Sequence, residues 1–275
     1  MFWRRRQSLD REIDPEDWQR AIAALPLLEG FADAERQRLR TLAAGFLEKK
    51  QLEPAQGATV DVQTRLAIAL QAALPVLALG LDWYRGWHAL ILYPDRFVPA
   101  REVMDEDGLV WIDDEPKSGE AWEQGPIILS LADVTAGETR DGYNVVIHEL
   151  AHKLDLLDGA ANGHPPLHRG MSDAAWAQAF RDAYDDLCEQ SDDLVSEVTA
   201  EGEPSHAAAN DTASDPLDAL VIDPYATESP AEFFAVCSET FFELPTQLRA
   251  AYPEVYSQLQ AFYRQDPAAR LPNAA

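Results

Sequence analysis

The chain has 275 residues, 47% of hydrophobic type and 25% charged, enough for one large domain or two lobes around a sizeable core; collagen-like, coiled-coil and wholly disordered readings are excluded. Its 22 basic residues against 48 acidic ones leave a net charge of −26, so the average surface repels phosphate backbones and anionic lipid, and neither nucleic acid nor a membrane is an expected partner. The two cysteines, Cys188 and Cys237, cannot build a disulfide framework or a metal knuckle, which points to a reducing, cytoplasmic compartment.

The opening MFWRRRQSLD is basic but leads into Asp10-Arg11-Glu12 rather than an apolar stretch, so 1–14 reads as a tail and not a secretory signal. From Pro15 the spacing is that of helices: Leu39, Leu42, Ala43 and Phe46 share one face, as do Leu66, Ala69, Leu70 and Ala73. The apolar run 66–81 is interrupted by Gln71, Pro75 and Gly80 and falls short of the roughly 20 residues a membrane span needs; it reads as a buried helix and a turn. A helical N-terminal lobe is expected at 15–85, ahead of a catalytic part at 86–275.

From Trp87 the pattern shortens. HALILY at 88–93 ends at Pro94, LVWI at 109–112 follows Gly108, and GPIILSL at 125–131 opens on a proline; each is expected as a strand. The strand at 127–131 is either a sheet edge able to pair with an extended peptide or an ordinary core strand. Trp122 is expected to support it. A helix follows at 143–157, closed by Asp158-Gly159, with Tyr143 packing at its start.

Another helix is expected at 173–187, where Trp176, Phe180, Tyr184 and Leu187 form a stripe. The stretch 189–218 is acidic and poor in large apolar residues, and reads as a loop or insertion. The final helical region opens at Ser229-Pro230, with Ser229 as N-cap and Glu232 three residues on.

The string that carries chemistry is His148-Glu149-Leu150-Ala151-His152. Residues four apart share a helix face, so both imidazoles reach one ion, with Glu149 beside it as a base rather than a ligand; this is the HExxH zinc pattern. The alternative, two histidines lining a polar groove, lacks a packing reason amid Val145, Val146, Ile147, Leu150 and Leu154. Catalytic zinc usually takes three protein ligands and leaves one position open. Six residues after His152 stands Asp158, not a histidine, while His164 and His168 flank Pro165-Pro166 and read as surface loop residues. A downstream carboxylate is the better third ligand, and Glu232, in an otherwise apolar segment, is the candidate. Asp155 and Glu239 either orient a ligand histidine or are helix-surface charges.

HELAHKLD at 148–155, DPYATESPAEFFAVCSETFFE at 223–243 and SGEAWEQGPIILSLADV at 118–134 together resemble the Mlc titration factor A family of bacterial zinc peptidases, from about Leu25 onward. The spacing from Tyr225 to Glu232 is also similar to the catalytic end of the anthrax lethal factor peptidase domain. The resemblance implies an α+β, zincin-like gluzincin fold over 15–275, with a helical N-terminal lobe and a small mixed sheet beside the motif helix. It implies His148, His152 and Glu232 on zinc, Glu149 as general base and Tyr225 as electrophilic helper, acting on a peptide or protein substrate. It further implies aminopeptidase activity on small substrates and binding to a transcriptional repressor of the Mlc type. Two other classes stand beside the peptidase: a regulatory binding protein with the zinc site secondary, and a zinc hydrolase of another substrate. One departure is the acidic stretch at about 188–221, longer than that family carries.

Overall fold

The computed structural model describes residues 13–96, 101–104, 110–113, 119–121, 125–136, 139–200 and 216–271. Two of the first three helices begin at an aspartate that caps them. Asp14 accepts from the amides of Glu16 and Asp17 ahead of α1 (Pro15–Ala23); α2 (Asp33–Lys49) buries Leu39, Ala43 and Phe46; Asp61 accepts from Thr64 ahead of α3 (Val62–Ala73). α3 is buried on every side from 66 to 73, so the run that came nearest to a membrane span lies in the core instead. Among the described residues no helix is long and apolar enough to cross a membrane.

Between α2 and α3 lies β1 (Gln51–Pro54), a strand inside the lobe that the spacing predicts as helical. Only Leu52 of its four residues is buried, too little alternation to announce a strand. β1 pairs in parallel with β2 (Ala89–Tyr93). β3 (Arg101–Met104) and β4 (Val110–Asp113) form an antiparallel ribbon separate from the main sheet. β5 (Gly119–Ala121) and β6 (Ile127–Ser130) complete a four-stranded sheet of order β1-β2-β6-β5, with β6 parallel to β2 and antiparallel to β5. The expected sheet is therefore small and mixed. The edge reading of 127–131 is corrected: β6 is interior, its four residues all buried, as an unbroken apolar run requires, and β5 takes the outer place. Trp122 lies outside the described residues.

After α4 (Leu131–Ala136), the motif helix α5 (Val145–Asp155) begins at Asn144 and ends through one tight turn, Leu156–Asp158, at Gly159, whose φ of 97° suits a residue without Cβ. α5 packs against α3, β5 and β6, and against the later helix α7. α6 (Asp173–Ala200) runs 13 residues past the predicted end at Leu187, so the first part of the acidic stretch is helical rather than loop. The physical reason is that no glycine or proline follows Asp173 until Gly202 and Pro204, and Asp, Glu and Gln on an exposed face do not stop a helix. Residues 201–215 lie outside the described residues.

α7 (Pro230–Glu243), α8 (Pro245–Ala251), α9 (Pro253–Tyr263) and α10 (Pro267–Arg270) each open on proline, whose missing amide costs nothing in a first turn. Aromatic rings join these helices to α6: Trp176 stacks on Phe180 with centroids 4.3 Å apart, and Phe233, Phe234 and Phe262 pack around the pair. His168 is a correction. It is not a surface loop residue but sits between Trp83 and Phe262, its Nε2 2.7 Å from the Phe262 carbonyl. His164 packs on Trp176 and is half-buried. Tyr143 packs against the core, as its position before the helix predicts.

Candidate metal centre

α5 and α7 cross so that side chains 80 or more positions apart meet. Asn144 accepts from the Ile147 amide at 3.0 Å and so caps α5; Ser229 accepts from the Glu232 amide at 3.2 Å and caps α7. The second cap places Glu232 in the first turn of its helix, aimed at the two imidazoles. Nε2 of His148 lies 3.0 Å from Oε2 of Glu232, Nε2 of His152 lies 3.2 Å from the same oxygen, and the two nitrogens are 3.1 Å apart. Three atoms that each offer a lone pair converge on one point. A tetrahedral ion with bonds of about 2.0–2.1 Å has ligand atoms roughly 3.3–3.4 Å apart, so this triangle is within a few tenths of an ångström of a metal-binding face. The side chains are 12, 11 and 21% exposed, so the cluster is sunk but reachable.

The second nitrogen of His148 fixes its tautomer. Nδ1 lies 2.7 Å from Oε1 of Glu239, a carboxylate buried in α7, so in the neutral imidazole the proton sits on Nδ1 and Nε2 turns its lone pair towards the cluster. Burial works against charge on His148, yet the Glu239 and Glu232 carboxylates outweigh it and raise its pKa well above the ordinary value. Burial pushes Glu232 the other way, and contact with both imidazoles overrides it, holding that carboxyl far below the usual range. Of the two orienting candidates Glu239 does contact a histidine. Asp155 instead accepts from the amides of Asn162 and Gly163 at 2.8 and 2.7 Å and ties down the loop after α5.

Glu149 faces β5 and is buried, with one carboxylate oxygen lacking a hydrogen-bond partner among the described residues. Burial raises its pKa to about 7, against the pull of His148 and His152. A buried polar oxygen without a partner among the described residues, beside three converging donor atoms, marks a candidate functional site. Tyr225 lies in the short turn Pro224–Glu228, is 53% exposed, and has its ring 6.1 Å from that of His148.

Sequence reasoning gives no role to Asn144 and leaves Glu243 an even choice between a solvent-facing charge and a buried one; the structure buries it. The Asn144 amide donates to Oε2 of Glu239, and its Nδ2 donates to Oε1 of Glu243 at 2.9 Å, so one residue ties the start of α5 to two carboxylates of α7. An asparagine just before the apolar run was the one available signal.

A sequence model of the family described as glucose-regulated metallo-peptidase M90 matches residues 1–264. The chain belongs to this family. Among M90-like relatives, Mlc titration factor A of Pectobacterium atrosepticum is 40% identical over 256 residues, spanning 93% of this chain and 88% of that protein. The protein of the same name from Yersinia enterocolitica is 39% identical, over 92% of this chain and 87% of its own length. That from Yersinia pestis is 38% identical over 92% and 86%. Membership of this metallopeptidase family implies a metal ion, and among the described residues the His148, His152 and Glu232 cluster is the group of three whose donor atoms could hold one.

Proposed function

We propose that the protein is a zinc-dependent peptidase of gluzincin type, with zinc held by His148, His152 and Glu232. The observation that carries this reading is the triangle of donor atoms with sides of 3.0, 3.1 and 3.2 Å, beside a buried glutamate that is not part of it. Two imidazoles and one carboxylate are the donor set of catalytic rather than structural zinc, which supplies Lewis acidity towards water and a scissile carbonyl. Glu149 takes the proton of the attacking water and passes it to the leaving amine; a carboxyl held near neutrality suits both directions. The Tyr225 hydroxyl donates to the oxygen on which charge develops, without adding charge of its own. Glu239 keeps His148 in the tautomer whose Nε2 faces the cluster. The substrates proposed for this sunken but reachable cluster are small peptides, including aminopeptidase substrates. Cys188 and Cys237 are both free thiols, which supports a cytoplasmic setting.

The deciding experiment measures zinc content and hydrolysis of short fluorogenic peptides on the wild type and on Glu149→Ala. Both proteins should bind about one zinc, and only the wild type should cleave. Cleavage by the variant would remove Glu149 from the mechanism; zinc in neither would remove the metal site.

A second reading, binding of a transcriptional repressor of the Mlc type, is favoured by the name that relatives spanning over nine-tenths of this chain carry, Mlc titration factor A. It is compatible with the first. Retention of such a repressor on immobilised Glu149→Ala would separate binding from hydrolysis, and failure to retain it on the wild type would dismiss it.

A further inference from the structure

Gly119 opens β5 in an extended conformation that any residue adopts; its φ is not among the positive ones. Glycine within a strand costs backbone entropy and leaves nothing to pack, so it marks a place where something approaches the backbone closely. Here the neighbour is Glu149. A Cβ at position 119 would stand 2.7 Å from both Cγ and Cδ of Glu149, and closer still to Oε1, distances that real Cβ atoms do not show. The contact joins the first residue of the outermost strand to the second residue of the HExxH pattern.

One oxygen of the same carboxylate, Oε2, is buried and has no hydrogen-bond partner among the described residues, in contrast to Glu239, which accepts from Asn144 and meets His148. Close packing against Gly119 therefore helps to set where the Glu149 carboxylate lies. On the α5 side the wall is the helix itself; on the other it is the bare backbone of β5.

From this contact we infer that Gly119 is a positioning residue for Glu149: the missing side chain at 119 forms the slot in which the carboxylate rests, and any larger residue pushes that carboxylate off its place beside His148 and His152. The inference deepens the peptidase reading, since it rests on Glu149 as the base. It also makes a prediction that does not depend on activity, because the clash exists only while the Glu149 carboxylate is present.

Gly119→Ala and Glu149→Ala are made singly and together. With zinc loaded, Gly119→Ala should keep its metal and a KM within about threefold, and lose about 100-fold in kcat, the scale of a displaced general base. In the metal-free proteins, Gly119→Ala should lower Tm by about 3 °C when Glu149 is intact and by under about 1 °C in the Glu149→Ala background, where the added methyl finds room. The double variant also guards against simple misfolding of the single one. An equal Tm loss in both backgrounds would make Gly119 a strand residue with no tie to the carboxylate and overturn the inference, as would a kcat that falls by less than about threefold. If Glu149→Ala itself still cleaves peptides, the base reading fails, and the Tm comparison still decides whether the slot exists.

Discussion

Oε1 of Glu239 lies 2.7 Å from Nδ1 of His148, while the other oxygen of the same carboxylate accepts from the Asn144 amide at the start of the same helix. One buried side chain thus sets both the beginning of α5 and the orientation of its first imidazole. Glu239→Gln keeps the shape and removes the charge. Affinity for zinc, measured by competition with a chromophoric chelator, should fall by about 10–100-fold. Unchanged affinity would reduce the contact to helix packing.

Asn144 is fully buried and serves three partners: it caps Ile147, donates its backbone amide to Glu239 and donates its side chain to Glu243. Asn144→Ala removes the cap and strands a buried carboxyl, a loss of roughly 2–4 kcal/mol. A thermal melt should show Tm lower by several degrees. Asn144→Ser, which restores the cap alone, should recover only part of it.

Glu243 supplies a pH dependence whose direction is fixed by burial. Desolvation lifts its pKa from the ordinary 4.5 to about 8, against its hydrogen bond from Asn144. Between those values the unfolded chain has released this proton and the folded chain retains it, so this group's contribution to native stability is full below about pH 4.5 and declines as pH rises to about 8. Glu243→Gln should flatten that decline and melt higher than the wild type at pH 8.5, with little difference at pH 4.5. Parallel pH profiles for the two proteins would show that the carboxyl titrates normally.

Tyr225 is 53% exposed, and its ring lies 6.1 Å from that of His148. Tyr225→Phe should keep the zinc content and lower kcat by about 100-fold, with KM nearly constant, the pattern of a donor that acts on developing charge. A rise in KM alone would reassign the phenol to substrate binding.

HExxH, the Ser229 cap and Glu232 were legible because each is local: one helix face, one first turn, one carboxylate in an apolar segment. Glu239 was half legible, since its spacing offered an orienting role and a surface charge alike. Asn144 with Glu243, and Gly119 with Glu149, were not legible, because each pair is joined only after the chain has folded, the first across 99 residues. β1 escapes because one buried leucine in four residues carries no period, and the helical reach of α6 to Ala200 escapes because an acidic stretch poor in large apolar residues shows no helical stripe. The interior place of β6 is a matter of strand order, which periodicity does not encode.

The pairing of β1 with β2 makes residues 51–54 part of the sheet on which the motif helix rests. A fragment starting at Gly86 would carry the whole metal cluster and yet expose the amides and carbonyls of β2 as an open parallel edge, a template for aggregation. It would also leave α5 without the apolar cover of α3. Proteolytic trimming from the N-terminus would then silence the protein rather than release an active core, and its abundance of active form would track the integrity of residues far from any chemistry.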